Sequence, residues 1–401
     1  MSKESYKQVS WLWEPAVIIF YGFMKKRVWL AIVGVVVLCI GICYYMFFGR
    51  YSWSLSDDGK LTISGLDRPY YLDDCPWLDQ REEIKEVVIE DGITSIEDDA
   101  FSGCPYLTSI TIPNSVTKIE DEAFYGCSGL KSIKVKDGNP KYDSRNYCNA
   151  IIETESNTLI LGCKNTVIPN SVKWIGDCAF GDCSELTSIT IPNSVAGIGE
   201  KAFYGCSGLT SVTIPESVTE IGYKAFYGCS RLTSIAIPES VTSIDCEAFS
   251  GTKWYENQPD GWVYIGGILY NYKGTWPAFG EIVIKENTKI IAGRVFAGCS
   301  DLWSITIPES VTSIGGRAFE YCSNLRSITI PNSVTFIGYE AFGDCLNLRS
   351  ITCLARIPPD IEYGWCGADS YRISLYVPAE SVEAYKKAEG WKEFHDIKAI
   401  K

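Results

Sequence analysis

The sequence predicts a β-rich solenoid behind a single membrane span, because a block of 23 residues recurs along most of the chain. The block that begins at Leu107 returns nearly letter for letter from Leu186, Leu209, Leu302 and Leu325. A fixed period of roughly 20–50 residues is typical of solenoids, in which each unit buries its apolar edge only against its neighbours. The repeats predict ten or eleven rungs between residues 84 and 353, and the starts that can be recognised are Ile84, Leu107, Leu130, Leu186, Leu209, Leu232, Leu302, Leu325 and Leu348.

The N-terminal 48 residues predict a membrane anchor. Residues 28–48 carry no charge and are long enough to cross a hydrocarbon core of about 30 Å. A basic triplet at 25–27 precedes them, so the positive-inside rule predicts a cytoplasmic segment at 1–27 and extracellular repeats. We expect an uncleaved, single-pass anchor, and the sequence leaves open whether Met24 is the true start.

The overall charge argues against one class of partner. The 401 residues carry 36 Lys and Arg against 49 Asp and Glu, which gives a formal net charge of −13. Nucleic-acid binding requires clustered Lys and Arg at the phosphates. We therefore expect no nucleic-acid partner.

Each block predicts a rung with one alternating strand. Ile110 and Ile112 should face the core, while Ser109 and Thr111 face outward. Pro113 ends the strand because it lacks a ladder donor. A Val-x-x-Ile segment then returns on the opposite side, and Ala-Phe-x-Gly-Cys packs a large residue and a small one inside. The predicted structural core comprises Phe101, Phe124, Phe180, Phe203, Phe226, Phe249, Phe296, Phe319, Phe342, Cys104, Cys127, Cys183, Cys206, Cys229, Cys299, Cys322 and Cys345.

These motifs resemble the BspA-like leucine-rich repeats of bacterial and protist surface proteins. The shared pattern is Leu-x-x-Ile-x-Ile-Pro-x-x-Val-x-x-Ile-Gly-x-x-Ala-Phe-x-Gly-Cys. The resemblance implies a curved solenoid with a parallel β-sheet on its concave side, and a role in adhesion or recognition at the cell surface. Residues 53–65 resemble the hairpin that precedes such arrays, so 49–83 is expected to form an N-terminal cap. This chain departs from many relatives in having an N-terminal anchor.

Three further segments interrupt or end the repeat. Residues near 137–165 and near 250–283 predict extra hairpins, and insertions in a solenoid often project on the binding side. We favour the simpler interpretation that both are family decoration without a ligand. Residues 354–401 predict a C-terminal cap, with a strand at 373–377 and a helix over 378–391.

The 17 cysteines do not predict a disulfide framework. Eight of them occupy one repeat column, where stacked side chains all point to the core and suit buried thiols. The states of Cys148, Cys163, Cys353 and Cys366 stay open. No cysteine–histidine cluster predicts a metal, and no cofactor motif is present.

Catalysis is not expected from this sequence. The single histidine, His395, lies six residues from the end. A nucleophile needs a base that a third group orients in a cleft. We therefore predict a protein that is not an enzyme.

The predicted ligand-binding residues lie on the outer side of the strands. Late repeats place Trp303, Arg326 and Arg349 directly after the repeat leucine, where earlier repeats carry threonine. Tryptophan and arginine are enriched in interface hot spots, and adjacent arginines suit a carboxylate or sulfate. The hydroxyl ladders beside them contribute Ser304, Thr306, Ser327 and Thr329. The interpretation is a membrane-anchored adhesion scaffold for an extracellular protein or glycan, and the alternative is a structural spacer without a specific ligand.

Overall fold

The computed structural model describes residues 51–65, 75–275, 280–362, 364–367 and 370–401. Over these residues the chain winds into a leucine-rich repeat β-solenoid of about 14 turns with a period of about 23 residues. The predicted cytoplasmic segment at 1–27 and the predicted span at 28–48 lie outside the described residues. Among the residues described, no helix combines the length and hydropathy that a membrane crossing requires.

The long strands of the rungs line one side of the solenoid. All but the last, Asp396–Ala399, alternate more buried and more exposed residues, and neighbours pair in parallel with repeat positions aligned, as in Ser188↔Ser211 and Ile189↔Val212. The described residues contain 29 strands, numbered in chain order. The long strands are β2 Lys60–Gly65, β3 Glu86–Ile89, β5 Ser109–Ile112, β7 Ser132–Val135, β12 Ser188–Thr190, β14 Ser211–Thr213, β16 Ser234–Ala236, β20 Glu281–Val283, β22 Ser304–Thr306, β24 Ser327–Ile330, β26 Ser350–Cys353, β28 Ser374–Val377 and β29 Asp396–Ala399.

A second line of parallel strands, only two residues each, runs along the other side. These come from the Val-x-x-Ile segments, and most bury their isoleucine. They are β4 Ser95–Ile96, β6 Lys118–Ile119, β11 Trp174–Ile175, β13 Gly197–Ile198, β15 Glu220–Ile221, β17 Ser243–Ile244, β21 Ile290–Ile291, β23 Ser313–Ile314, β25 Phe336–Ile337 and β27 Asp360–Ile361.

The long-strand side is divided into four sheets rather than one continuous sheet. Their orders are β1-β2-β3-β5-β7, β12-β14-β16, β20-β22 and β24-β26-β28-β29. The first begins with β1 Tyr51–Leu55, which pairs antiparallel with β2 as the hairpin expected at 53–65. The breaks after β7 and β16 coincide with the two interruptions of the repeat.

The interruptions form hairpins that are built into the core. The first inserted hairpin is β9 Ile151–Glu153 with β10 Thr158–Leu161, joined at its edge by β8 Tyr142–Asp143. The second inserted hairpin is β18 Gly261–Ile265 with β19 Ile268–Lys273. In each, the second strand continues the short-strand line in parallel, β10 with β11 and β19 with β21. Strands β10 and β19 are therefore part of the wall of the solenoid and do not project from it.

Each inserted hairpin separates two hydrophobic clusters. Ile151 belongs to the N-terminal cluster, whereas Ile152 belongs to the central one. Likewise Ile268 packs in the central cluster and Leu269 in the C-terminal one. A strand buried on both faces needs consecutive apolar residues, which explains why these strands do not alternate.

A tyrosine hydroxyl replaces a missing backbone acceptor beside each inserted hairpin. In ordinary rungs the phenylalanine amide donates to the alanine carbonyl of the next rung, as Phe226 does to Ala248 at 2.8 Å. The Phe249 amide instead donates to the Tyr270 hydroxyl at 2.7 Å. The Ile119 amide similarly donates to Tyr142 at 3.1 Å. These phenols satisfy amides that the interruption would otherwise leave unpaired.

The repeat phenylalanines form three stacked columns in the core, and the first consists of Phe101 and Phe124 with ring centres 5.3 Å apart. All nine are at most 5% exposed, and successive rings lie 4.9–5.4 Å apart between Phe180 and Phe249 and between Phe296 and Phe342. Trp77 stacks on Phe101 at one end of the array, and Trp365 meets the Phe342 ring edge-on at the other. Offset stacking adds about 0.5–1.5 kcal/mol per pair beyond the area buried.

The repeat cysteines are free thiols. Seven of the eight are buried and Cys299 is half-buried. Cys229 donates its S–H to the Phe203 carbonyl of the preceding rung at 3.2 Å, and four other members of the column make the same contact. Cys148, Cys163 and Cys353 are also free thiols, and all three are buried, as is Cys366. The column therefore supplies small core groups that hydrogen-bond one rung to the next.

The C-terminal segment differs from the expected cap. Strands β28 and β29 continue the parallel long-strand sheet, so the array extends beyond residue 353. The helix expected over 378–391 is reduced to a 3-10 turn at Ala379–Ser381 and the α-helix Val382–Tyr385. Gly390 ends any continuation, with a φ of 70° and the Ile361 side chain 2.3 Å from the place of a Cβ. Trp391 is thereby turned into the core, where its indole N–H donates to the Pro359 carbonyl at 2.9 Å.

The remaining helical segments are short. They are the α-helix Lys253–Glu256 and the 3-10 turns Leu78–Glu83, Arg145–Tyr147 and Ser370–Arg372. Thr252 takes the cysteine position of its rung and caps the first of these, accepting from the Tyr255 amide at 3.1 Å.

Candidate binding surface on the strand face

The outward side chains of the long strands form a flat, hydroxyl-rich surface, which we call the strand face. Register brings Ser327 opposite Ser350 and Thr329 opposite Thr352. Ser304 and Thr306 lie one rung earlier, on β22. Within the described residues β22 and β24 belong to separate sheets, so the ladder continues across a break in backbone pairing.

The residue directly after the repeat leucine defines a second line along the strand face, the post-leucine column. Its threonines have a structural role, because their hydroxyls bond the carbonyl one rung earlier. Thr108 donates to Lys85 at 2.9 Å and Thr210 donates to Thr187 at 3.2 Å. Tryptophan and arginine cannot reproduce this short bond, so their side chains extend from the rung instead.

Trp303 is the exposed aromatic residue of this column. Its side chain lies over Gly280 of the preceding rung, where a Cβ would stand 2.2 Å from the indole nitrogen. The residue remains 56% exposed. Because Gly280 has no side chain, the indole can pack directly on its backbone, and more than half of the tryptophan stays accessible to a ligand.

Arg326 and Arg349 follow Trp303 on the next two rungs, and both are exposed. One terminal nitrogen of Arg349 donates to the Leu346 and Leu348 carbonyls at 2.9 and 3.0 Å, which holds the guanidinium against its own turn. Neither arginine forms an ion pair with any residue that the structure describes. With strands about 4.8 Å apart, Trp303 and Arg349 are separated by roughly 10 Å.

Sequence reasoning missed one member of this patch. Leu346, in the turn before Arg349, is 62% exposed. The corresponding turn residue is serine in the two preceding repeats, Ser300 and Ser323, and this substitution was the available signal. We call Trp303, Arg326, Arg349 and Leu346 together the Trp-Arg patch.

The arginines on the edge of the solenoid contrast with those of the patch. Arg294 pairs with Asp245 at 3.2 Å and lies 4.1 Å from the Tyr223 ring centre. Arg317 pairs with Glu340 at 3.0 Å. Burial raises the pKa of Asp245 to about 6, although the Arg294 guanidinium partly opposes that shift. These edge cations are committed to internal contacts.

A second exposed apolar area lies at the first sheet break, and the sequence analysis did not identify it. Tyr147 is 99% exposed in a left-handed backbone conformation with a φ of 55°. The amide of Val167, itself 71% exposed, donates to the Cys148 carbonyl at 3.0 Å. Beside them an open groove of about 610 Å³ runs between 166–170 and 188–193.

The described residues assemble no cluster of three or more His, Cys, Asp or Glu side chains that could hold a metal ion. His395 is exposed near the end of the chain. Burial raises the pKa of the Cys104 thiol to about 11 and of Cys183 to about 12. Raised values make these thiols poor nucleophiles, because the thiolate is the reactive form.

Comparison with known proteins identifies the repeat. The sequence matches the family described as BspA type Leucine rich repeat region in six copies, over residues 79–160, 152–258 and 270–361. The chain belongs to this BspA-type leucine-rich repeat family. No curated protein sequence gives a match.

Three solved leucine-rich repeat structures are similar to this chain. A leucine-rich repeat protein from Eubacterium ventriosum is 24% identical with a TM-score of 0.36, and the match covers 74% of this chain and 92% of that one. One from Bacteroides ovatus is 24% identical with a TM-score of 0.31, covering 88% and 98%. A leucine-rich cell surface protein from Faecalibacterium prausnitzii is 24% identical with a TM-score of 0.30, covering 88% and 94%.

Proposed function

We propose that this BspA-type protein is a membrane-anchored scaffold on the cell surface, which binds an extracellular protein or glycan through its strand face. The observation that carries the proposal is the Trp-Arg patch. It combines an exposed indole with two arginines that pair with no described acidic group, on a chain whose net charge is −13. Interface hot spots are enriched in these two residue types.

The anchor and orientation belong to the same proposal. The uncharged stretch at 28–48 and the basic triplet before it support an N-terminus in the cytoplasm and repeats outside. Protease treatment of intact cells tests this orientation directly. Digestion of the repeats only after the cells are permeabilised would contradict it.

Binding is tested with cells that display the full chain, measured against extracellular proteins and glycans. Trp303→Ala and Arg326→Glu are each expected to lower affinity about 30-fold, the equivalent of a hot-spot loss of about 2 kcal/mol. Lys173→Glu is the control, because Lys173 is exposed on the short-strand side. Equal binding by all three variants would remove the patch from the proposal.

A structural spacer is the second candidate, and the inserted hairpins favour it. Each is packed between two hydrophobic clusters of the core, which suits a rod whose role is to set a distance. A spacer would retain no specific partner when the full chain is used as bait, and shortening the array by one rung would change its reach without changing capture.

A further inference from the structure

Charge is distributed unequally across the strand face. In the nine recognisable repeats, the post-leucine column contains no acidic residue, although the chain has more acidic than basic residues. The column consists of Lys85, Thr108, Lys131, Thr187, Thr210, Thr233, Trp303, Arg326 and Arg349. At the other end of the same nine strands, the first residue of the following turn is never basic, and the column there reads Asp91, Asn114, Asp137, Asn193, Glu216, Glu239, Glu309, Asn332 and Ala355.

The four cations of the post-leucine column are available for a ligand. Lys85, Lys131, Arg326 and Arg349 are all exposed, and none forms an ion pair with a described residue. Two lysines elsewhere on the strand face pair with acids, Lys60 with Glu86 at 3.1 Å and Lys136 with Asp91 at 3.4 Å, whereas Lys134 on β7 is exposed and forms no ion pair with a described residue. Most of the unpaired positive charge of the face therefore lies in the post-leucine column.

The spacing of these cations runs parallel to the solenoid axis. At about 4.8 Å per rung, Lys85 and Lys131 stand roughly 10 Å apart, and Arg326 and Arg349 roughly 5 Å apart. Between the two pairs the column offers only threonine and Trp303 in the recognisable repeats, with exposed serines beside it. An open groove of about 610 Å³ with no charged lining residue also lies on this face, beside β12.

We propose that the post-leucine edge of the strand face binds an acidic polysaccharide, whose chain lies along the solenoid axis. Its carboxylates or sulfates pair with the two cation pairs, and its hydroxyls meet the serine and threonine ladders. The apolar face of one sugar ring packs on Trp303. This inference deepens the proposed function and rests on it, because it names the ligand class of the same surface.

The alternatives fit the face less well. A nucleic acid carries a phosphate at every nucleotide and requires a dense row of cations. The post-leucine column offers two pairs of cations that are separated by several rungs without a cation. An acidic peptide brings backbone amides that need paired donors and acceptors. The strand face offers hydroxyl groups, which match the hydroxyl groups of a sugar chain.

The test uses the full chain in detergent and measures binding of polygalacturonate and dextran sulfate by calorimetry. Neutral dextran, poly-glutamate and single-stranded DNA are the comparison polymers. The acidic polysaccharides are expected to bind best, with affinity that falls as salt rises. Tighter binding of poly-glutamate or DNA, or equal binding of neutral dextran, would overturn the proposal.

The variants replace each cation by the residue that the repeat itself uses at that position. Lys85→Thr with Lys131→Thr, and separately Arg326→Thr with Arg349→Thr, are each expected to weaken polysaccharide binding about tenfold. The matched control removes two lysines in the same way from the short-strand side, Lys173→Thr with Lys289→Thr, where other repeats also have threonine. If the control variant lost as much polysaccharide binding as the test variants, the claim that the post-leucine edge is the binding site would be refuted.

Failure of this inference can be told apart from failure of the proposed function. If cells that display the chain bind a protein partner, and that binding depends on Trp303 while acidic polysaccharides do not bind, the ligand class is wrong and the scaffold function stands. If nothing binds in either assay, the proposed function fails as well. Thermal unfolding of each double variant shows whether the array remains folded.

Discussion

Removing one hydroxyl group should destabilise the solenoid at the second inserted hairpin. The perturbation is Tyr270→Phe, which deletes the acceptor of the Phe249 amide and leaves the ring in place. Tyr270 is fully buried, and its hydroxyl oxygen lies 2.7 Å from the Phe249 nitrogen. Phe249 itself is also fully buried, so water cannot replace the lost acceptor without opening the core.

The magnitude follows from the group left unpaired. A buried donor that loses its only partner costs about 1–3 kcal/mol, whereas the apolar area of the tyrosine ring stays buried in the variant. Removing the hydroxyl also removes its own desolvation cost, which brings the expected loss towards the lower half of that range. We expect the free energy of unfolding to fall by about 1–2 kcal/mol.

The assay is equilibrium unfolding in urea, combined with hydrogen exchange at the Phe249 amide. Tyr227→Phe is the matched control, because the Tyr227 hydroxyl is half-buried and forms no hydrogen bond with a described residue. The control should stay within about 0.5 kcal/mol of the parent. Faster exchange of the Phe249 amide should accompany the loss in Tyr270→Phe.

The reasoning would be refuted by equal stabilities of the two variants. It would also fail if the Phe249 amide kept its full protection in Tyr270→Phe, because another acceptor would then have to be present. A loss well above 3 kcal/mol would mean that the ring had moved and left a cavity, which crystallography of the variant would reveal.

Three other predictions concern the core and the edge of the array. The thiols of the repeat cysteine column should react with a disulfide reagent at pH 8 far more slowly in the native protein than in urea. The reason is that these thiols are buried, and burial raises the pKa of members such as Cys183 and Cys345. Fast reaction of the native protein with the reagent would contradict this prediction. Because the pKa of Asp245 is raised from 3.8 to about 6, the folded state holds its proton more tightly, and unfolding free energy should fall by up to about 3 kcal/mol as pH rises from 4 to 7. Asp245→Asn should flatten that part of the stability profile measured by urea titration, and an unchanged slope would argue against the assignment. Gly162→Ala should cost about 1–3 kcal/mol in the same titration, because its Cβ would stand 2.1 Å from the Phe180 ring, whereas Gly267→Ala should be nearly neutral.

The period and the alternation of the repeat predicted the rungs well because both are local properties. Ile110 and Ile112 face the core and Thr111 faces solvent in the structure, as strand geometry requires. The same period of 23 residues places the phenylalanine of one rung against that of the next rung within each stack. The number of turns was underestimated, since the hairpins and the C-terminal strands also add rungs.

The inserted hairpins could be located in the sequence but their role could not. Ile151 and Ile152 are both apolar, which fits a strand covered on either side and equally fits a projecting hairpin that binds a ligand. Only the packing of one residue into each neighbouring cluster decides between these cases. The C-terminal helix was overestimated for a similar reason, because the close approach of Ile361 to Gly390, which leaves no room for a Cβ, involves residues that are distant in sequence.

The sequence by itself determined the repeat, the direction of each side chain and the composition of the strand face, because these depend on neighbours within one rung. The tertiary structure alone decided which cations are already paired. Arg294 and Arg326 look alike in sequence, yet one meets Asp245 across the second interruption and the other meets no described acid. The physical reason is that ion pairing depends on which rungs the folded array brings within about 4 Å, and an interrupted repeat hides that relation from the linear chain.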